Sequence, residues 1–236
     1  QRRAVSTPGF RLTSTYRLRT SDTEMKIRQF PGQAGILEAL FEHPNRHPRA
    51  VVVFGHPHPQ HGGNMHNKVV YRASRTFLEL GCAVLRFNFR GVGKSDGQWD
   101  EGRGERNDFL SALDFAAITY PDTDMWSAGF SFGAWVALSC GVSDSRVSQM
   151  LAIAPPTGRY DLTDVLTSQK PTHFIHGERD EIVPIGELRK FYDHVPEPKT
   201  LTAIDAANHL FENRVVEIAA AIRKTFGIIA EQGEQT

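Results

Sequence analysis

The chain has 236 residues, of which 40% are hydrophobic and 23% charged, as is typical of one globular domain with a sizeable core. Lysine plus arginine and aspartate plus glutamate both number 27, so the formal net charge is zero. No field of one sign therefore favours nucleic acid or an anionic membrane as a partner, and we expect neither.

Two features bear on where the protein works. Cys82 and Cys140 are its only cysteines and lie in apolar segments, which argues against a disulfide framework and favours a reducing compartment, the cytoplasm. The first twenty residues are rich in Arg, Ser and Thr and contain no acid. That composition resembles a transit peptide, but a flexible extension over 1–23 is the simpler interpretation. We expect a single domain over 24–228 and a tail over 229–236.

Predicted elements alternate along the domain. Met25–Phe30 and Ile36–Glu42 surround a Pro31-Gly32 turn and predict a hairpin. Apolar runs then predict the strands Ala50–Gly55, Cys82–Phe87, Met125–Gly129, Val147–Ala154, Thr172–His176 and Leu201–Asp205. Helical spacing predicts the helices Val69–Leu80, Phe109–Ala117, Phe132–Cys140, Glu187–Tyr192 and Phe211–Phe226. The alternation indicates an α/β fold, a mostly parallel sheet of about eight strands with helices on both faces. In such sheets the site lies beyond the carboxyl ends of the strands.

The loop after Gly129 carries the strongest chemical signal. Gly129-Phe130-Ser131-Phe132-Gly133 has the form G-x-S-x-G between a predicted strand and a predicted helix. A nucleophile on so sharp a turn needs glycine at both flanks, because Cβ atoms there would clash. The following helix N-terminus also favours developing negative charge near Ser131. We therefore predict that Ser131 is a nucleophile.

A serine nucleophile needs a base to take its proton and an acid to orient that base. In strand-turn-helix hydrolases these partners follow in the order serine, acid, histidine at later strand ends. The loop after His176 offers Asp180, with Glu178 and Glu181 as alternative acids. The loop after Asp205 offers His209. Order and placement both fit a catalytic triad.

With these motifs, the chain resembles the α/β-hydrolase superfamily from Glu24 to Phe226. The matching pieces are the Ser131 elbow, His176–Pro184, Asn208–Phe211 and Asn88–Asp96. The segment Gly55–Gly63 is similar to that of a small lidless branch near dienelactone hydrolases, whose members are mostly described as predicted serine esterases. This resemblance implies an α/β-hydrolase fold without a cap domain, with Asp180 as acid and His209 as base. Dienelactone hydrolases proper use cysteine where this chain has Ser131.

Acyl transfer also needs N–H donors aimed at the tetrahedral oxygen. One is expected from Phe132, directly after the nucleophile. The other is expected in the loop after Gly55. Proline has no N–H, which leaves His58 and Gln60 as the nearest candidates there. Matching this segment to the H-G-x pattern of the resembling family selects His58, with Pro57 in place of the usual glycine.

Histidines at 56, 58 and 61 have the H-x-H-x-x-H spacing of a zinc-binding loop. The zinc hydrolases with that loop carry aspartate where this chain has Gln60, and a zinc site would leave the elbow and its partners unexplained. We therefore expect no metal.

Gly93-Lys94-Ser95 resembles the end of a P-loop. The full pattern requires glycine at 88, where Asn88 stands, and no helix is predicted directly after it. We interpret the loop as scaffolding, with Arg90 and Asp96 hydrogen-bonded within it.

The segment Pro155–Pro171 is too short for a helical lid, which predicts an open site and short acyl esters. Phe130, Trp135 and Trp99 are candidate pocket walls, although Trp135 equally suits helix packing.

We predict a carboxylesterase-like serine hydrolase of small-molecule esters, without cofactor, as a monomer or homodimer. A thioesterase, an amide or short-peptide hydrolase with the same triad, and a non-catalytic binding protein are the alternatives.

Overall fold

The computed structural model describes the backbone of residues 27–233 and the side chains of residues 28–227. The predicted extension over 1–23 lies outside the described residues, as does Met25. Within the described range the chain forms eight strands and five helices. The strands are β1 (Ile27–Gly32), β2 (Gly35–Glu42), β3 (Val51–Gly55), β4 (Ala83–Phe87), β5 (Met125–Phe130), β6 (Val147–Ile153), β7 (Thr172–Gly177) and β8 (Lys199–Ile204). The helices are α1 (Lys68–Glu79), α2 (Arg103–Thr119), α3 (Phe132–Ser143), α4 (Ile185–His194) and α5 (Val215–Gly233).

The eight strands form one sheet in the order β1-β2-β4-β3-β5-β6-β7-β8. β2 runs antiparallel to both β1 and β4, and every other neighbouring pair is parallel. Buried side chains of α2, α3 and α4 pack on one face of the sheet, and those of α1 and α5 pack on the other. The predicted mostly parallel sheet with helices on both faces is confirmed.

The central strand β3 illustrates why these strands are apolar without alternation. Val51 and Val53 contribute to one hydrophobic cluster, whereas Val52 and Phe54 contribute to the cluster on the opposite face. Because helices cover both faces, each successive side chain enters a core. This arrangement sends the carboxyl ends of the parallel strands to one edge of the sheet.

The hairpin turn differs from the prediction by two residues. Gly32 pairs with Gly35, so the turn is formed by Gln33 and Ala34, and Pro31 lies within β1. The edge of a sheet tolerates proline because no ladder hydrogen bond is lost there. Gly35 has a φ of 122°, which explains the glycine at the end of the turn.

The last helix begins at Val215, four residues later than predicted. Phe211 and Asn213 have positive φ angles of 52° and 58°, which cannot continue a right-handed helix. The helix then extends to Gly233, into the range 229–236 that the sequence analysis assigned to a tail. Among the described residues, no helix combines the length and the apolar character needed to cross a bilayer.

The connection between β6 and β7 takes the place where a lid would be inserted. Within residues 154–171 its regular structure is one short 3-10 helix, Thr163–Thr167. The Trp135 indole donates to the carbonyl oxygen of Asp161 at 2.9 Å. Lys170 donates to the carbonyl oxygens of Gly141 and Asp144 at the end of α3, at 2.7 and 2.6 Å. The expected absence of a cap domain is confirmed, and the connection is held down against α3.

Candidate active site

Ser131 lies at the sharp turn between β5 and α3. Its φ of 53° and ψ of −121° are unusual for a residue with a Cβ. The turn is held in place because the Ser131 N–H donates to the carbonyl oxygen of Ile153 at 2.8 Å, and the Ser131 carbonyl accepts from the N–H of Ala134 at 2.8 Å. The backbone therefore presents the hydroxyl beyond the carboxyl ends of the strands.

The glycines that flank Ser131 allow the backbone to pack closely. A Cβ at Gly129 would collide with the backbone of Gly133, and a Cβ at Gly133 would collide with the carbonyl group of Gly55 at the end of β3. The elbow thus rests directly on the neighbouring strand. This close approach is the physical basis of the G-x-S-x-G spacing.

Ser131, His209 and Asp180 form one hydrogen-bonded chain. Ser131 Oγ lies 2.9 Å from His209 Nε2, and His209 Nδ1 lies 2.7 Å from Asp180 Oδ2. A carboxylate only accepts, so His209 carries its proton on Nδ1 and leaves Nε2 free to accept from the Ser131 hydroxyl. His209 and Asp180 are 4% and 5% exposed, whereas Ser131 retains some solvent contact.

The carboxylate of Asp180 is ionised and fixed by several donors. Its Oδ1 accepts from the N–H groups of Ile182 and Val183 at 2.9 and 2.7 Å. Burial acts to raise the pKa of Asp180, but the hydrogen bonds from His209 and the Val183 N–H, with the nearby imidazoles, outweigh it and lower the pKa below its usual value.

The two alternative acids do not reach His209. Glu178 and Glu181 are both exposed, and Glu178 pairs with Arg189 of α4 at 3.3 Å. Of the three acids in this loop, Asp180 is the one hydrogen-bonded to the imidazole.

Backbone contacts connect the loop that carries Asp180 to the loop that carries His209. The Glu178 N–H donates to the carbonyl oxygen of Ile204 at 3.0 Å, and the Arg179 N–H donates to that of Ala207 at 2.9 Å. A Cβ at Gly177 would collide with the backbone of Ala207. These contacts set the separation of acid and base without using either side chain.

The loop after β3 brings His58 beside the elbow. The His58 and Phe132 rings lie 5.2 Å apart between centroids. The His58 carbonyl accepts from the N–H groups of His61 and Gly63, at 3.1 and 3.0 Å. Among the described residues, neither the His58 N–H nor the Phe132 N–H donates to another protein group. The structure thus brings together the two residues expected to supply oxyanion donors.

His56 is fully buried and uses both ring nitrogens. Its Nε2 accepts from the Phe89 N–H at 3.0 Å, so Nδ1 carries the proton and donates to the carbonyl oxygen of Pro57 at 2.7 Å. Burial lowers the pKa of His56 to about 4. With no free nitrogen, His56 cannot join His58 and His61 as a zinc ligand, and within the described residues no group of three metal-ligating side chains is found.

The three aromatic residues proposed as pocket walls differ in exposure. Phe130 is fully buried and lies beneath the His209 ring at 5.6 Å between centroids. Trp135 is 7% exposed and stacks on Tyr160 at 4.4 Å, a contact that no local sequence pattern indicates. Trp99 is half-buried, with its ring 4.7 Å from His58 and 5.3 Å from Phe132. Trp99 therefore remains partly exposed to solvent beside the elbow, whereas Phe130 and Trp135 are buried in the cores that pack against the elbow.

The loop that follows β4 acts as scaffolding, but two of its side chains bond outside it. Arg90 pairs with the buried Asp108 of α2 at 2.7 Å, and Asp96 accepts from the Ile36 N–H of β2 at 2.7 Å. The expectation of bonds within the loop is therefore wrong for Arg90, whereas the Asp96 carbonyl oxygen does accept from the Gly91 N–H within the loop at 3.1 Å. The Lys94 N–H donates to the Glu38 carboxylate at 2.9 Å, so an acid occupies the donor that a P-loop would offer to phosphate.

A cleft of about 850 Å³ runs beside the base, between 62–68 and 210–215. Leu210, which directly follows His209, lines this cleft and is 50% exposed. Lys68 and His66 line its opposite wall. The walls of the cleft come from the loop of the proposed oxyanion donor and from the loop of the base.

Comparisons with known proteins bear on the family and the fold of this chain. Residues 46–167 match the family model described as serine aminopeptidase, S33. An uncharacterized protein of Rickettsia prowazekii is 33% identical over 202 residues, which cover 82% of this chain and 85% of that protein.

Two solved structures are similar over most of their length. A serine hydrolase without a lid from Xanthomonas campestris is 33% identical with a TM-score of 0.77, covering 83% of this chain and 90% of that chain. A serine hydrolase homologue from Coxiella burnetii is 32% identical with a TM-score of 0.81, covering 86% and 99%.

Proposed function

Given that the chain belongs to the α/β-hydrolase superfamily, we propose that it hydrolyses short-chain carboxylic esters through an acyl-Ser131 intermediate. The observation that carries the proposal is the unbroken hydrogen-bonded chain from the Ser131 hydroxyl through His209 to Asp180. An imidazole whose unprotonated nitrogen accepts a hydrogen bond from a serine hydroxyl can act as a general base toward that hydroxyl.

In the first step the Ser131 Oγ attacks the ester carbonyl carbon while its proton moves to His209 Nε2. The carbonyl π electrons move to the oxygen, and a tetrahedral intermediate forms. His209 then gives this proton to the leaving alkoxide as the carbon–oxygen bond breaks, which leaves an acyl-Ser131 ester. Water repeats the sequence with His209 as base, releasing the acid and restoring the hydroxyl. Asp180 stabilises the imidazolium at each stage.

The negative oxygen of each intermediate is assigned to the N–H groups of Phe132 and His58. Support comes from the position of Phe132 at the first residue of α3, where the helix N-terminus favours negative charge. The 5.2 Å contact between the His58 and Phe132 rings supports a shared site for both donors. Each such donor contributes about 10²–10³-fold to the rate in acyl transfer.

The open carboxyl edge of the sheet favours small-molecule esters with short acyl chains. Trp99 offers the exposed aromatic surface beside the elbow, and the cleft next to Leu210 offers room for the remaining group of the ester. The mechanism requires no cofactor. Cys82 and Cys140 are buried and unpaired, which supports a reducing compartment such as the cytoplasm.

The test is hydrolysis of p-nitrophenyl acetate and butyrate by the wild-type protein and by Ser131→Ala. We expect the variant to fall to the uncatalysed background. Ser111→Ala is a matched control, because Ser111 bonds only to the Asn107 carbonyl within α2 and should keep full activity. Labelling of Ser131 by a fluorophosphonate probe gives a second readout. Substantial activity in purified Ser131→Ala would overturn the proposal.

Amide hydrolysis is the second candidate, because the matching family model is described as a serine aminopeptidase. Matched acetyl esters, thioesters and anilides, together with aminoacyl anilides, would rank the acyl donors by kcat/KM. An anilide preference would reassign the substrate while keeping the triad. A protein that hydrolyses none of them and resists the fluorophosphonate would be a binding protein.

A further inference from the structure

His176 is a second histidine in contact with the proposed catalytic acid. It is the next-to-last residue of β7 and is fully buried. Its Nε2 lies 2.8 Å from the carbonyl oxygen of Val183 and 3.3 Å from Oδ2 of Asp180. That same Oδ2 accepts from His209 Nδ1. The mechanism described above makes no use of this side chain.

The contacts of His176 fix its tautomer. A carbonyl oxygen can only accept, so the proton resides on Nε2 and is donated to Val183, with the Asp180 carboxylate beside it. Burial lowers the pKa of His176, which keeps the ring neutral. Nδ1 is then a lone-pair acceptor, and it is buried without a hydrogen-bond partner.

An unpartnered buried acceptor is costly, and folding alone does not account for it. An apolar side chain of similar shape would fill the same space without that penalty. What the imidazole adds is the single N–H of Nε2, which donates to the carbonyl oxygen of Val183. Val183 in turn belongs to the three residues whose N–H groups hold the carboxylate, with Ile182 and His209, and His176 Nε2 lies 3.3 Å from its Oδ2.

We propose that His176 is a positioning residue: its Nε2–H fixes the carbonyl oxygen of Val183, the residue whose own N–H holds the Asp180 carboxylate toward His209. The inference rests on the proposed function, because Asp180 matters to turnover only if the Ser131 triad is catalytic. His176 neither touches the Ser131 hydroxyl nor transfers a proton. It acts through Val183, by restricting the rotation of the Asp180 carboxylate.

The titratable groups that face Asp180 are His209 and His176. Those that face His176 are Asp180 and His209. Glu178, Arg179 and Glu181 belong to the same loop and are exposed. Removal of the His176 donor frees Val183, so the Val183 N–H takes up less of the Asp180 charge. More of that charge is then directed at His209, and a protonated imidazole is held more firmly. The acid limb of the kcat/KM profile should therefore move to higher pH.

Two variants separate this role from packing. Glutamine can place its amide N–H where Nε2 stands, whereas phenylalanine fills the space without a donor. We expect His176→Phe to lower kcat about tenfold with little change in KM, since the loss of a buried hydrogen bond has effects of that size. His176→Gln should recover most of that loss. His176→Leu replaces the phenyl variant if the melting temperature shows that the ring disturbs the loop.

A measurement independent of turnover completes the test. Nitrogen-15 NMR of histidine-labelled protein should show a proton on Nε2 and none on Nδ1 of His176. The His209 Nδ1 proton should shift in His176→Phe and stay near its wild-type position in His176→Gln. Equal kcat, equal acid limbs and equal proton shifts in the two variants would overturn the positioning role. Loss of the proposed function itself would be seen separately, as wild-type protein without Ser131-dependent hydrolysis or labelling.

Discussion

His56 donates a hydrogen bond from Nδ1 to the carbonyl oxygen of Pro57 at 2.7 Å. That carbonyl belongs to the same peptide group as the His58 N–H, the proposed oxyanion donor. Because a peptide group is planar and trans, a donor that holds its C=O also sets the direction of its N–H. The His56 ring is itself held by the Phe89 N–H at Nε2.

Two replacements of His56 should distinguish the hydrogen bond at Nδ1, to Pro57, from the hydrogen bond at Nε2, from Phe89. Asparagine can keep a donor near the Nδ1 position, whereas glutamine can keep an acceptor near Nε2. We expect His56→Gln to lower kcat about 10- to 100-fold, because a displaced donor loses much of its effect. His56→Asn should lose less. Steady-state kinetics on p-nitrophenyl acetate, with the melting temperature as a folding control, checks this, and an equal loss in both variants would contradict it.

The identity of the acid can be tested within one loop. Asp180→Asn should lower kcat about 10⁴-fold, because an amide favours the wrong tautomer of His209. Glu178→Gln and Glu181→Gln are matched controls, since both acids are exposed, and they should change kcat less than about twofold. A larger loss in either control than in Asp180→Asn would reassign the acid.

Gly133 should be intolerant of a methyl group. In Gly133→Ala the new Cβ would collide with the Gly55 carbonyl group, so we expect a loss of about 1–3 kcal/mol in the free energy of unfolding and a displaced elbow. Gly227→Ala is the control, because a Cβ there meets nothing within 4 Å and a helical alanine is favoured over glycine. Urea unfolding measures both, and an unchanged Gly133→Ala would contradict the packing.

Stability should fall on mild acidification. Burial lowers the pKa values of His56 and His173 to about 4, so between about pH 4 and 6.5 the unfolded chain binds protons that the folded protein excludes. Stability is therefore full above pH 6.5 and is lost as the pH falls toward 4. Each histidine should account for about 2 kcal/mol between pH 6.5 and 5.

One variant tests whether His173 contributes to the loss of stability between pH 6.5 and 5. His173 bonds to Thr200 at 2.9 Å and lies away from the proposed triad, so His173→Gln removes one titrating group without altering the catalytic chain. The free energy of unfolding of this variant should decline less steeply between pH 6.5 and 5 than that of the wild type. Parallel declines would show that His173 does not titrate in this range.

Trp99 should influence acyl-chain preference. Its half-buried ring contacts His58 and Phe132 beside the elbow, so Trp99→Ala would open space at the acyl side. We expect the ratio of kcat/KM for octanoate over acetate esters to rise severalfold in the variant. Phe130→Leu is a comparison at a fully buried position and should leave that ratio unchanged. Equal ratios in wild type and Trp99→Ala would place the acyl group elsewhere.

The strands, the helices and the elbow could be predicted from the sequence, because they depend on neighbours a few residues apart. β-branched runs indicate strands buried on both faces, and the flanking glycines at 129 and 133 indicate a strained turn. The hairpin turn and the start of the last helix were misplaced, since they depend on positive φ angles at Gly35, Phe211 and Asn213.

The sequence by itself determined the alternation of elements and the order of the proposed serine, acid and histidine. The tertiary structure alone decided which acid reaches His209, that both ring nitrogens of His56 are engaged in hydrogen bonds, and that His176 donates to Val183 beside Asp180. Ser131 and His209 are 78 residues apart in the chain but 2.9 Å apart in space. Such contacts depend on the strand order and on how the loops pack at its edge, which no local pattern encodes.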